Sequence, residues 1–167
     1  MDTFEILSQL CSAAGVSGAE GSAAEAAAKL LEEYGEVTLD NALGSVICKV
    51  GSWEDGKPVM LLDAHIDEIG MIVTYITEDG FLKISGCGGL DTRLLLAQQV
   101  TVYGKEKLTG VVTSTPPHLE KDSSDAPDLD SVFIDIGFTS RENAAKYVSL
   151  GDRVLIENKA ERLAGSR

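Results

Sequence analysis

Residues 61–73 read LLDAHIDEIGMIV. Seven of these thirteen residues are large and apolar, yet Asp63, His65, Asp67 and Glu68 stand among them. Burying unpaired charge is costly, so polar groups in such a stretch need a purpose. Taken with the residues before it, the run PVMLLDAH (58–65) has the texture of a strand buried on both faces. In α/β sheets, ligands bind beyond the carboxyl ends of the strands. A histidine placed there can ligate a divalent metal through one ring nitrogen, while a carboxylate holds the other ring N–H and fixes the tautomer. Asp67, two residues after His65, has the chemistry for that orienting part. The H-x-D spacing also suits a satisfied core histidine beside a surface acid, and the spacing alone leaves both readings open.

The texture of the chain changes at residues 68–70. Upstream, Asp2 and Glu5 have capping-box spacing, and Phe4, Leu7, Leu10 and Cys11 recur at helical intervals, with Gly15 expected to close the helix. The turn VSGAEGS leads into an alanine-rich second helix, roughly 23–34, ended by Gly35. EVTLD and SVICKV then read as strands joined through NALG. Downstream, MIVTYI and FLKI flank the turn TEDG, and QQVTVYG and LTGVVTS flank GKEK. SVFIDIG and DRVLIE are further strands, separated by one short helix, SRENAAKYV. An acidic, proline-bearing loop is expected from Thr115 to Asp130. Two helices followed by strands predict an α/β lobe, and many short strands with turns between them predict a small β-barrel or sandwich.

The 167 residues suffice for one ordinary domain or two small ones. Hydrophobic residues at 44% and charged residues at 25% are typical of a globular protein with a true core. The net charge of −13, from 14 basic and 27 acidic residues, repels phosphate backbones and anionic membranes. Cys11, Cys48 and Cys87 form no C-x-x-C pair; three reduced thiols are expected, one or two of them in the core. The first ten residues carry acids where a signal peptide needs a basic region, and no apolar run approaches the ~20 residues that span a bilayer. A cytoplasmic protein is the expectation. With only two histidines, in unrelated segments, no Ser-His-Asp or Cys-His set can be argued, and no Gly-rich phosphate loop is present.

The wider stretch LDAHIDEIGMIV resembles the first metal-binding motif of the tetrahedral metallo-aminopeptidases, the family of glutamyl and deblocking aminopeptidases whose members are often labelled endoglucanases. GVSGAEG (15–21) is similar to the family's early turn, and VTLDNALGSVI (37–47) to its first sheet hairpin. GGLDTRLLLAQQVTVYG (88–104), GVVTSTPPHL (110–119) and VFIDIGFTSRENA (132–144) resemble successive pieces of its inserted β-domain. RLAGSR (162–167) resembles the segment returning to the catalytic lobe. The resemblance implies a partial catalytic α/β lobe at 1–68, an inserted β-barrel dimerisation domain at 69–161 and a return segment at 162–167. It implies that His65 is a metal ligand and that Asp67 is the catalytic-site acid orienting it. It further implies two zinc or cobalt ions, peptide substrates cleaved after their N-terminal residue, and dimers assembling into hollow dodecamers.

Two positions depart from the family's habit: Leu90 stands where Trp is frequent, and Ala97 where Gly is frequent. Past the segment resembling RLAGSR the family carries its bridging Asp, a Glu-Glu pair that includes the general base, another Asp and a last His. The 167-residue chain is therefore expected to be inactive alone. The alternative is a non-catalytic assembly module derived from the family. The glycosidase implied by the endoglucanase label is rejected, because no carboxylate pair can be placed on a sugar cleft and aromatic residues are only 5%. Glu68 is read either as near the metal site or the dimer contact or as a solvated acid, Asp63 as a weak candidate for supporting His65, and His118 as a loop or interface residue. Asp91 and Arg93 are expected to pair locally at most.

Overall fold

The computed structural model describes residues 2–40, 42–114, 127–156 and 160–165. The chain divides into two compact units, residues 1–68 with 158–167 and residues 69–157. The chain is mixed α/β, with helices and a small sheet in the first unit and a closed barrel in the second.

In the first unit, α1 (Thr3–Cys11) starts where the sequence sets a capping box. The Asp2 carboxylate accepts the Glu5 N–H at 2.8 Å, and the Glu5 carboxylate accepts the Asp2 N–H at 2.9 Å. The helix ends before Gly15, whose carbonyl is engaged elsewhere: it accepts the Glu68 N–H at 2.8 Å. Helix α2 (Gly21–Leu31) buries Ala23, Ala24 and Ala28, a stripe of small side chains that permits close approach to its neighbours. Strands β1 (Glu36–Leu39) and β2 (Val46–Lys49) pair antiparallel, and the Cys48 thiol lies 3.7 Å from the Leu31 carbonyl of α2.

The expected buried strand at 58–65 is not formed. These residues belong to no strand, and Met60, Leu61 and Leu62 are more than four-fifths exposed. A continuous apolar run shows that a segment needs cover on both faces; it does not supply the cover. Among the described residues the first unit holds one sheet, the β1–β2 pair, and no strand pairs with this run.

In the second unit, β3 (Gly70–Ile76), β4 (Leu82–Cys87), β5 (Gln99–Tyr103), β6 (Lys107–Ser114), β7 (Val132–Asp135) and β8 (Arg153–Ile156) close into an antiparallel barrel. Its order is β3-β4-β7-β6-β5-β8. Both expected hairpins form, β3 with β4 and β5 with β6. Alternate residues point inward, so Met71, Val73, Leu82, Ile84, Val112, Ile134 and Val154 share one core. The turn between β3 and β4 needs Gly80, which has φ +87° and whose Cβ position would lie 2.5 Å from the Phe138 carbonyl oxygen. Helix α3 (Arg141–Ala144) is capped by Ser140, whose hydroxyl accepts the Asn143 N–H at 3.3 Å. No cysteine is in the core, contrary to expectation: Cys11 is exposed, Cys48 and Cys87 are half-buried, and all three are free. Most of the expected acidic loop, residues 115–126 with His118, lies outside the described residues.

Ala97 is the only non-glycine with a positive φ among the described residues, at 62°. Its N–H donates to the Val112 carbonyl at 3.0 Å, and the Val112 N–H donates to the Gln98 carbonyl at 2.9 Å, so the barrel imposes this conformation. The left-handed region is strained for an L-residue and open to glycine, although glycine has more freedom to lose on folding. Ala97→Gly is thus expected to stabilise the barrel by about 0.5–1 kcal/mol, read as a rise of a few degrees in the thermal midpoint. A lower midpoint would contradict this.

Candidate metal-ligand site at His65

The chain leaves its apolar run at His65 and is fastened immediately afterwards. Val16 and Glu68 form an isolated parallel bridge. The Glu68 N–H donates to the Gly15 carbonyl at 2.8 Å, and the Gly15 N–H donates to the Glu68 carboxylate at 2.9 Å. Val16 itself is buried, which anchors the turn between α1 and α2 as the fixed side of this clasp. Glu68 is thus neither idle nor aimed at His65: its carboxylate satisfies a backbone donor.

Within the clasp, His65 Nδ1 lies 3.0 Å from Asp67 Oδ1 and 3.1 Å from the Asp67 backbone carbonyl. Both partners are acceptors, since Asp67 is ionised near neutral pH, so the Nδ1 position carries the proton. Neutral His65 then bears its lone pair on Nε2, the form in which an imidazole ligates a metal. The His65 side chain is 86% exposed, leaving Nε2 accessible. The second Asp67 oxygen, Oδ2, accepts the Ser17 hydroxyl at 2.5 Å. The Ser17 hydroxyl, and after it the His65 N–H, hold the Asp67 carboxyl below its ordinary value of 3.8.

His65 and Asp67, the pair that the H-x-D spacing singles out, are therefore in contact, and Ser17 completes the group. The only signal for Ser17 in the sequence is its place within the turn GVSGAEG. Asp63 is exposed and takes no part. Asp91 and Arg93 do pair locally, at 2.6 Å. His118 lies outside the described residues.

His65 fits one ligand position of a metal site. A divalent ion held for catalysis needs three or more protein donors. No cluster of three or more His, Cys, Asp or Glu that could hold an ion occurs among the described residues. The described part of the chain thus presents a single prepared donor and not a complete site. Beside the exposed run, a cavity of about 410 Å³ is lined by residues including Ile47, Trp53, Val59 and Leu62. No helix among the described residues is long and apolar enough to cross a membrane.

Comparison with known proteins identifies relatives across most of the chain. The model of the M42 glutamyl aminopeptidase family matches residues 44–167. A lysyl aminopeptidase of Pyrococcus furiosus is 31% identical over 149 residues, 86% of this chain and 42% of that protein. The structure of an aminopeptidase from the archaeon Desulfurococcus kamchatkensis superposes with a TM-score of 0.87 at 29% identity, covering 97% of this chain and 45% of the other. The Pyrococcus horikoshii TET1 peptidase, described as assembling into a tetrahedron or a large octahedral shell, gives 0.81 at 32% identity over 93% and 47% of the two chains. The chain spans less than half the length of each of these relatives.

Proposed function

Since this chain belongs to the M42 glutamyl aminopeptidase family, we propose that it is the part of a metal-dependent aminopeptidase that delivers one metal-ligand histidine. The observation carrying this reading is the placement of His65 Nδ1 against two acceptors, the Asp67 carboxylate and carbonyl, which assigns the proton to Nδ1 and leaves the Nε2 lone pair for a metal. Asp67 acts on the site through His65, by fixing its tautomer and raising its basicity. In the complete protein two divalent ions, zinc or cobalt, would supply Lewis acidity and an activated water for cleavage of N-terminal residues from peptides. The other donors and the general base would come from sequence that these 167 residues lack, so the chain alone is inactive.

The exposed run at 59–62 supports the same reading. Large contiguous apolar surfaces are rarely left to solvent, and this one calls for cover from additional polypeptide. In this reading residues 1–68 and 162–167 belong to the catalytic lobe, the barrel at 69–161 mediates dimerisation, and the complete protein is a cytoplasmic homo-oligomer.

The test compares this chain with the longest polypeptide encoded by the same reading frame, using amino-acid nitroanilides with added zinc or cobalt. The longer protein is expected to release nitroaniline, to stop on chelation and to recover on metal return; the 167-residue chain is expected to release none. Metal-independent turnover would sink the mechanism, and turnover by the short chain would sink its inactivity. A longer protein that assembles but never cleaves would favour the non-catalytic assembly module.

A further inference from the structure

We infer that Ser17 is a positioning residue, whose hydroxyl fixes the Asp67 carboxylate and, through it, the tautomer and orientation of His65. The inference deepens the reading of His65 as a metal ligand and rests on it for its purpose, though not for its geometry. Asp67 sits just past a segment with no strand partners, and its side chain is 42% exposed. A carboxylate so placed turns readily about its terminal torsion, which is broad and two-fold. The structure holds it at both oxygens: Oδ1 by the imidazole at 3.0 Å and Oδ2 by Ser17 at 2.5 Å.

Ser17 can act as an anchor because its own backbone is fixed. Its neighbour Val16 is buried and bridged to Glu68, and Gly15 exchanges two hydrogen bonds with Glu68 at 2.8 and 2.9 Å. The clasp therefore joins points 50 residues apart in sequence and ends in a chain of three side chains, Ser17 to Asp67 to His65. Removing the hydroxyl leaves His65 with the Asp67 backbone carbonyl as its only fixed acceptor and frees the carboxylate to rotate away. Hydrogen bonds to a charged acceptor are about twice as strong as those to a neutral one, so the remaining contact is a weaker lock.

The test reads the imidazole directly. Nitrogen-15 long-range correlation spectra of the 167-residue chain, at about pH 8 where histidine is neutral, report which ring nitrogen of His65 bears the proton. Unaltered chain and Ser17→Thr are expected to show the Nδ1–H form. Ser17→Ala and Ser17→Val are expected to show a mixture with the Nε2–H form, with His118 unchanged in all four. Thr and Val are nearly isosteric, so that pair isolates the hydroxyl even if the alanine variant folds poorly. Zn²⁺ titration at the His65 ring should show roughly tenfold weaker binding in the valine than in the threonine variant. Unaltered tautomer in both Ala and Val variants overturns the inference, since a merely structural serine would change stability and leave the ring proton in place. A tautomer that follows the hydroxyl in a chain whose His65 ignores Zn²⁺ would uphold the positioning role and refute the metal reading.

Discussion

His65→Ala, introduced into the longest polypeptide of this reading frame, is expected to lower metal-dependent aminopeptidase turnover by at least about a thousandfold, or ~4 kcal/mol of transition-state stabilisation. The size follows from what the side chain would do. A lost ligand removes its share of the ion's binding and misplaces the charge that the reaction depends on. The same substitution should scarcely affect folding, because the His65 side chain is 86% exposed. Exposed replacements of this kind usually change stability by less than about 0.5 kcal/mol. The informative measurement is therefore a pair: turnover with saturating zinc or cobalt, and the thermal midpoint. Retention of more than a tenth of the activity would remove His65 from the site. A large fall in the midpoint would show that the loss came from unfolding.

Asp67→Asn offers a graded companion to that experiment. Asparagine can still present an oxygen to the ring N–H or, flipped, an N–H that clashes with it, so a partial loss is the natural outcome for an orienting group. The Ser17 hydroxyl can donate to the amide oxygen or accept from the amide N–H, so it permits both orientations, and only the one that turns the N–H toward His65 costs the tautomer as well as the charge.

What can be read from the sequence is what depends on near neighbours. The Asp2–Glu5 capping box and the hairpins around TEDG and GKEK are short-range patterns, and each forms as its residues dictate. The His65–Asp67 contact spans two residues and is legible as chemistry for the same reason. Burial is legible where the covering strands carry the same alternation, even where they pair far apart in sequence, as Met71 and Val154 do. Strands β3 to β8 supply one another's cover, and their alternation translates directly into a core. The 58–65 run is as apolar as any of them, yet its partners are not among the described residues, so it stays exposed. The roles of Ser17 and Glu68 are hidden in the sequence because they come from contacts 50 and 53 residues away, which no local period encodes. Ala97 lies between these cases: its departure from the family's frequent glycine is visible, and its left-handed backbone gives the reason that the departure matters.

The barrel makes the second large prediction, and it concerns a pair. Ile134 of β7 is fully buried, with Leu82 opposite it on one side and Val112 on the other. Ile134→Ala is expected to destabilise the barrel by about 3 kcal/mol, the usual result of deleting a buried aliphatic side chain and leaving a cavity. Gly110 of β6 faces the same space. A Cβ added there would lie 2.6 Å from the Ile134 Cγ2 methyl, 3.1 Å from that of Ile136 and 3.2 Å from Val100 Cγ2. Because Gly110 does not have a positive φ, alanine meets no backbone strain there, and the penalty is overpacking alone, about 1–3 kcal/mol. Ile134→Ala removes the methyl that makes the closest of these contacts. Adding Gly110→Ala in that background should then be neutral or stabilising, giving a favourable coupling of at least about 1 kcal/mol in the double-mutant cycle. Urea unfolding followed through amide signals of β6 and β7 measures it, since the single Trp53 reports on the other unit. Strict additivity would show that Gly110 is not excluded by Ile134, and that its close packing in the barrel is set by Ile136 and Val100 instead.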